Sequence, residues 1–215
     1  MTKCSIFIDF DGTLVDIAPR HYRVYVSCLR SFNGRPLEMY EYWKLKRANT
    51  PWGQILQLSG VDPELEPEFL KLFIERIESD SELMQDELFP GSLATLDRLS
   101  KRHNLYLLSL RRNSQALERQ IDNLGIRQYF QQILVGHSDT KEGVLKKKAD
   151  VIKTASFDFK NLVVVGDTEA DIAAAKQLNA TSVALRSGIR NDDFLEKMNP
   201  DCLLDGIEEV AGLFD

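Results

Sequence analysis

Ile6-Phe7-Ile8-Asp9-Phe10-Asp11-Gly12-Thr13-Leu14-Val15-Asp16 is the stretch that decides the fold. An apolar, β-forming run delivers two aspartates, two residues apart, to its carboxyl end. Alternate strand residues face the same way, so Asp9 and Asp11 start on one side, and Gly12 lets the chain turn sharply beyond them. Asp and Gly are also common turn residues, so an acid-rich turn after a strand is the plain alternative. Two carboxylates this close repel unless a cation, a shared proton or strong hydrogen bonds compensate, and the pair therefore calls for a metal.

Working outward, short apolar runs recur at 5–8, 105–108, 133–135, 162–165, 181–185 and 202–204, most of them separated by helical periodicity. Such alternation predicts an α/β fold with parallel strands and crossover helices. The runs are continuously apolar, as in a doubly wound parallel sheet covered on both faces. Five or six strands are expected, with ligands binding beyond their carboxyl ends near the topological switch point. Between Asp16 and Leu88 the strand pattern disappears. Four helical patterns replace it, around Tyr22–Leu29, Leu37–Leu45, Ile55–Leu58 and Phe69–Ile77, punctuated by Pro36, Pro51, Pro63 and Pro67. An insert of about seventy residues is far longer than a crossover needs.

Two further strand ends carry polar groups. Leu105-Tyr106-Leu107-Leu108-Ser109 places a hydroxyl at a carboxyl end, and it and the amides entering the turn at Leu110 can donate to a phosphate oxygen. Leu162-Val163-Val164-Val165-Gly166-Asp167-Thr168-Glu169-Ala170-Asp171 again delivers an acid at a strand end. The second Asp falls at the start of a helix, where the macrodipole alone would favour it.

The ordered pair of Asp-rich segments, with Ser109 between them, resembles the motifs of the haloacid dehalogenase-like hydrolase superfamily. Leu88-Phe89-Pro90-Gly91 and the segment Thr140-Lys141-Glu142-Gly143 are similar to the phosphoglycolate phosphatase-like branch. Ser-Leu-Arg-Arg at 109–112 departs from the family's frequent Thr-Asn and leaves Arg111 and Arg112 without an assigned role. The resemblance implies a Rossmann-like core of residues 1–16 and 88–215, with a mobile helical cap at 17–87. It also implies a lysine that pairs with the first aspartate and the phosphate. Lys141, Lys146, Lys147 and Lys148 are the candidates. The helical pattern Val144, Leu145, Ala149, Ile152, Ala155 puts Lys141 just before the first turn at the sheet's catalytic edge, with Lys148 as second choice.

On this resemblance Asp9 is the nucleophile of an aspartyl-phosphate mechanism, and Asp11 is the general acid and base. Ser109, Lys141 and the amides at Gly12, Thr13 and Leu110 would anchor the phosphoryl oxygens. Mg²⁺ would be held by Asp9, Asp167 and Asp11 through its backbone carbonyl, with Asp171 supporting the site. The implied activity is hydrolysis of a small phosphorylated metabolite. A phosphomutase of the same fold, or a non-enzymatic protein that binds a phosphate ligand, are the alternatives.

Composition sets outer bounds. The 215 residues carry a net charge of −6, which argues against general nucleic-acid or membrane-surface binding. Cys4, Cys28 and Cys202 are odd in number and widely spaced, fitting a reducing compartment. The start of the chain lacks a signal-peptide pattern and no apolar run is long enough to span a bilayer, so the cytoplasm is the expected location, as a monomer or weak dimer.

Overall fold

The computed structural model describes residues 3–136, 141–155 and 161–214, with side chains from 147 onward in the helix that begins at Lys141. The opening run becomes β1 (Ser5–Asp9), buried along its whole length. After a tight turn come β2 (Val15–Asp16) and the helices α1 (Ala18–Leu29), α2 (Met39–Arg47), α3 (Trp52–Leu58), α4 (Glu66–Ile77) and α5 (Asp80–Leu83). The chain returns through β3 (Glu87–Leu88), α6 (Ser92–Ser100), β4 (Asn104–Ser109), α7 (Ser114–Asn123), β5 (Gln132–Val135) and α8 (Lys141–Thr154). It finishes through β6 (Leu162–Gly166), α9 (Glu169–Gln177), β7 (Thr181–Leu185), α10 (Asp192–Lys197) and β8 (Cys202–Leu204).

Six strands form one sheet in the order β5-β4-β1-β6-β7-β8, every pairing parallel. The order reverses at β1, so β4, β1 and β6 are central neighbours and their carboxyl ends open on one crevice. The strands are apolar on both faces because helices cover both. Ile6 and Ile8 pack with Leu105, Leu107, Val163 and Val165 on one face. Phe7 lies on the other, stacked on Tyr106 with ring centroids 4.6 Å apart and packed against Ala149 and Ile152 of α8 and Ala174 of α9. Asp9 shares the parity of Phe7 and therefore emerges on the face covered by α8 and α9.

The helical insert has a core of its own. Tyr25 and Tyr42 stack at 4.2 Å, surrounded by Leu29, Ile55, Leu56 and Phe69. Both connections to the sheet run side by side as a two-strand antiparallel ribbon, Val15 opposite Leu88 and Asp16 opposite Glu87. Strands this short carry no readable period, and the sequence gives no sign of them. Asp16 also caps the entry to α1, its Oδ1 accepting from Ala18 N at 2.9 Å.

Candidate active site

Three central strands supply the acids and the hydroxyl. Asp9 ends β1, Ser109 ends β4 and Asp167 follows β6 directly, and all three are buried. One carboxylate oxygen from each of Asp9, Asp167 and Asp171 lies within 4.8 Å of the others. Asp171 enters from the first turn of α9, where its Oδ2 accepts from Thr168 N at 3.2 Å and Thr168 Oγ1 at 2.6 Å. The two acidic segments thus come together at one point.

Lys148 sits among these acids. Its Nζ donates to Asp9 Oδ1 at 2.7 Å and to Asp171 Oδ1 at 2.6 Å, and the side chain is buried. Lys148, the second choice of the sequence reading, is thus the lysine the structure places beside Asp9, and α8 begins with Lys141 itself. The side chains of Lys141 and Lys146 lie outside the described residues. Lys148 is on the stripe that continues through Ile152 and Ala155, which faces the sheet. A helical side chain leans toward the helix amino terminus, here toward the carboxyl edge of the strands, so a long lysine two turns into α8 reaches the acids.

Asp167 is fixed by its neighbours. Thr13 Oγ1 donates to its Oδ1 at 3.1 Å and Ile189 N to its Oδ2 at 2.7 Å. A Cβ at Gly12, where φ is +81°, would lie 2.3 Å from Asp167 Oδ2, and one at Gly188 2.0 Å from the same oxygen. Only glycine lets the backbone close around this carboxylate at both positions. The amide of Gly12 donates within the turn, to Val15 O at 2.9 Å. Ser109 Oγ accepts from Arg111 N at 3.3 Å and, with Leu110, lines the cavity beside Asp9.

Burial weakens Asp9 and Asp167 as acids. Asp9 is pushed well above the carboxylate range by desolvation, with Lys148 pulling the other way and Asp171 and Asp167 adding repulsion. Asp167 is pushed up to about 6 by burial, then by the Asp171 charge. For Lys148, burial favours the neutral amine, but Asp171 and Asp9 outweigh it and hold the ammonium more firmly than in water. Three mutually repelling carboxylates against one ammonium form a hard-oxygen donor set short of positive charge, as a divalent cation site is. Both oxygens of Asp171 and of Asp167 accept from protein donors, whereas the contact from Lys148 engages one oxygen of Asp9.

Asp11 is turned elsewhere. Arg111 grips it as a fork, Nε to Oδ2 and Nη2 to Oδ1 at 2.6 Å each, and Arg20 Nη2 donates to Oδ1 as well. Burial would raise the carboxyl's pKa, and the two guanidiniums overcome that and hold it well below the carboxylate range. Arg20 enters from the insert and Arg111 from the loop after β4, and the sequence reading assigned neither a role. A cavity of about 350 Å³ opens over Asp9, Asp11, Lys148 and both arginines, closed above by Phe73, Ile74 and Ile77 of α4.

A doubly wound sheet that brings a strand-end Asp, a buried lysine and two further acids to its switch point defines a hydrolase of the phosphatase type with an Asp-based site. The chain belongs to the haloacid dehalogenase-like hydrolases, whose family profile matches residues 5–179. It is similar to phosphoglycolate phosphatase of Pseudomonas savastanoi pv. phaseolicola, 28% identical over 224 residues, spanning 98% of this chain and 79% of that one. Phosphoglycolate phosphatase of Synechococcus elongatus is 28% identical over 207 residues, spanning 94% of this chain and 92% of its own. Among solved structures, a phosphatase-like protein from Clostridium difficile superposes with a TM-score of 0.79 at 18% identity, each chain fully covered. No helix among the described residues is long and apolar enough to cross a membrane.

Proposed function

We propose that the protein hydrolyses a small phosphate monoester, with phosphoglycolate the first substrate to test because curated relatives carry that name. The observation that carries this reading is the Asp9 carboxylate at the end of the central strand, held by Lys148 on one side and facing the cavity on the other. Asp9 attacks phosphorus in line, the ester P–O bond breaks, and the departing oxygen takes a proton from Asp11. Water then gives a proton to Asp11 and attacks the aspartyl-phosphate, which releases phosphate and regenerates Asp9. Lys148 takes the place expected of Lys141, orienting Asp9 and meeting the transferred oxygens, with Ser109 opposite. Asp9 and Asp167 would hold Mg²⁺, with the backbone carbonyl of Asp11, and the ion when bound offsets the repulsion between nucleophile and anionic substrate. Asp171 keeps Lys148 in place. The helices of 17–87 act as a cap that excludes water from the first step and admits it for the second.

The test is phosphate release from a panel of monoesters by purified protein with Mg²⁺. Wild type should turn over, chelation should stop it and Mg²⁺ restore it, and Asp9→Asn should abolish it while the circular dichroism spectrum stays unchanged. Turnover by Asp9→Asn near the wild-type rate would remove the covalent mechanism.

A further inference from the structure

Residues 186–191, between β7 and α10, touch the acid cluster on one side and the insert on the other. On the inner side Ile189 N donates to Asp167 Oδ2 at 2.7 Å, and a Cβ at Gly188 would sit 2.0 Å from the same oxygen. Arg190 adds a second tie, a fork from Nε and Nη2 to the two oxygens of Glu169 at 2.7 and 2.9 Å, and Glu169 begins α9 just beyond Asp167. On the outer side the last residue of α2 closes over the segment. Arg47 Nη2 donates to the carbonyls of Arg186 at 2.6 Å and Arg190 at 3.0 Å, and Arg47 O accepts from Asn191 N at 3.0 Å.

One guanidinium nitrogen, with its two hydrogens, thus draws together the two carbonyls that bracket Ile189. The ends of the segment are fixed to the core, by Arg186 N on Leu204 O at 2.9 Å and by Asn191 Oδ1 accepting from Phe194 N at 3.0 Å, so what Arg47 sets is the path between them. Arg47 Nε is buried without a hydrogen-bond partner among the described residues, a cost that a contact made only for packing would avoid. We propose that Arg47 is a positioning residue for Asp167: seated on 186–191 it holds Ile189 N against the carboxylate in the orientation that receives a divalent cation, and lifted away with the insert it lets that carboxylate turn. Metal binding and closure of the insert are then one coupled equilibrium, in which each favours the other by the same factor. This rests on the reading of the insert as a cap and of Asp9 and Asp167 as ligands of the metal, and it adds a route by which loss of the metal loosens the insert.

The test is Mn²⁺ binding to the substrate-free protein, with free Mn²⁺ read by its paramagnetic resonance and Mn²⁺ standing in for Mg²⁺ as a cation that takes the same oxygen ligands. Arg47→Met should weaken binding about tenfold, the ordinary size of such a coupling, although Arg47 touches neither ligand. Arg47→Lys, which keeps a cation able to reach one carbonyl, should restore part of the loss. Arg119→Ala removes a different ion pair between core and insert, the one to Asp80, and should leave the affinity within about twofold of wild type. In wild type, addition of Mg²⁺ alone should slow exchange of the Asn191 amide about tenfold, because its bond to Arg47 O opens only when the insert lifts, and in Arg47→Met the slowing should disappear. Equal Mn²⁺ affinity in wild type and Arg47→Met, or equal weakening by Arg119→Ala, would overturn the proposal. So would an Asn191 amide indifferent to Mg²⁺ in wild type, a result that needs no variant to fold. Wild type that binds no Mn²⁺ removes the metal site and this coupling together, whereas the expected ratios without phosphate release from any ester sink the phosphatase reading alone.

Discussion

Lys148 and Lys147 are neighbours in sequence with opposite surroundings. Lys148 is buried between Asp9 and Asp171, whereas Lys147 is only partly covered. Lys148→Met should lower phosphate release by two orders of magnitude or more, roughly the cost of losing a buried charge-assisted contact to the transferred group, while Lys147→Ala should stay within about twofold of wild type. Steady-state rates of both variants on one substrate decide it. His21, on the insert side of the same cavity, titrates in the opposite sense to the acids. It packs between Trp43 and Phe73, its Nδ1 has no hydrogen-bond partner, and burial, with Lys46 and Arg20 nearby, holds its pKa well below the ordinary value. The folded state thus favours the neutral ring, so this contribution is complete above about pH 6.5 and declines as pH falls from there toward the depressed folded value. Urea unfolding at pH 7.5 and 5.5 should show wild type losing about 1 kcal/mol more than His21→Leu on acidification.

At the scale of elements, caps and register tie the loops around the site to their helices. Asn113 caps α7, its Oδ1 accepting from Ala116 N at 3.0 Å, and its own amide donates to Glu78 Oε2 of the insert at 2.9 Å. α7 carries Gln120, which holds Arg111. Asn113→Ala should cost about 1 kcal/mol in urea unfolding, the ordinary worth of such a cap, and should raise the amide exchange of the first turn of α7. Elements were also where the sequence was most legible. The runs ending at Asp9, Ser109 and Asp167 were readable because each is a local event, an apolar strand followed at once by its polar group. The lysine was harder. Its identity depends on how far α8 lies below the strand ends, a tertiary distance, although the stripe joining position 148 to Ile152 and Ala155 was already present in the pattern. Arg20 and Arg111 were missed because arginines in a first helical turn and a loop look solvated, and Asp11, the partner they share, is 100 positions from Arg111. The ribbon of β2 and β3 was too short to show a period.

Across the whole molecule, the insert and the sheet have separate apolar cores, bridged by Trp43 and by polar contacts. Glu78 accepts from the amides of Arg112 and Asn113, Arg119 pairs with Asp80 at 2.7 Å, and Arg47 Nη2 donates to the carbonyls of Arg186 and Arg190. Contacts of this kind can be exchanged for water at small net cost, and we propose that the insert moves as a cap on that account. Trifluoroberyllate with Mg²⁺ should slow amide exchange at 16–20 and 88–91 and along α4. Unchanged exchange with the analogue bound would mean that the insert is a static part of the fold.

The paired strands Val15–Asp16 and Glu87–Leu88 put the entrance and the exit of the insert next to each other, in register, on the rim of the sheet. Everything between them hangs from a single stem. A chain that passed from Asp16 to Glu87 through a short turn would keep that stem and the parallel sheet beneath it, because none of the six strands lies within the excised part. The residues at the strand ends and the helices above them are therefore separate lengths of sequence, and Arg20, just inside that doorway, is where the second length reaches back to Asp11 in the first.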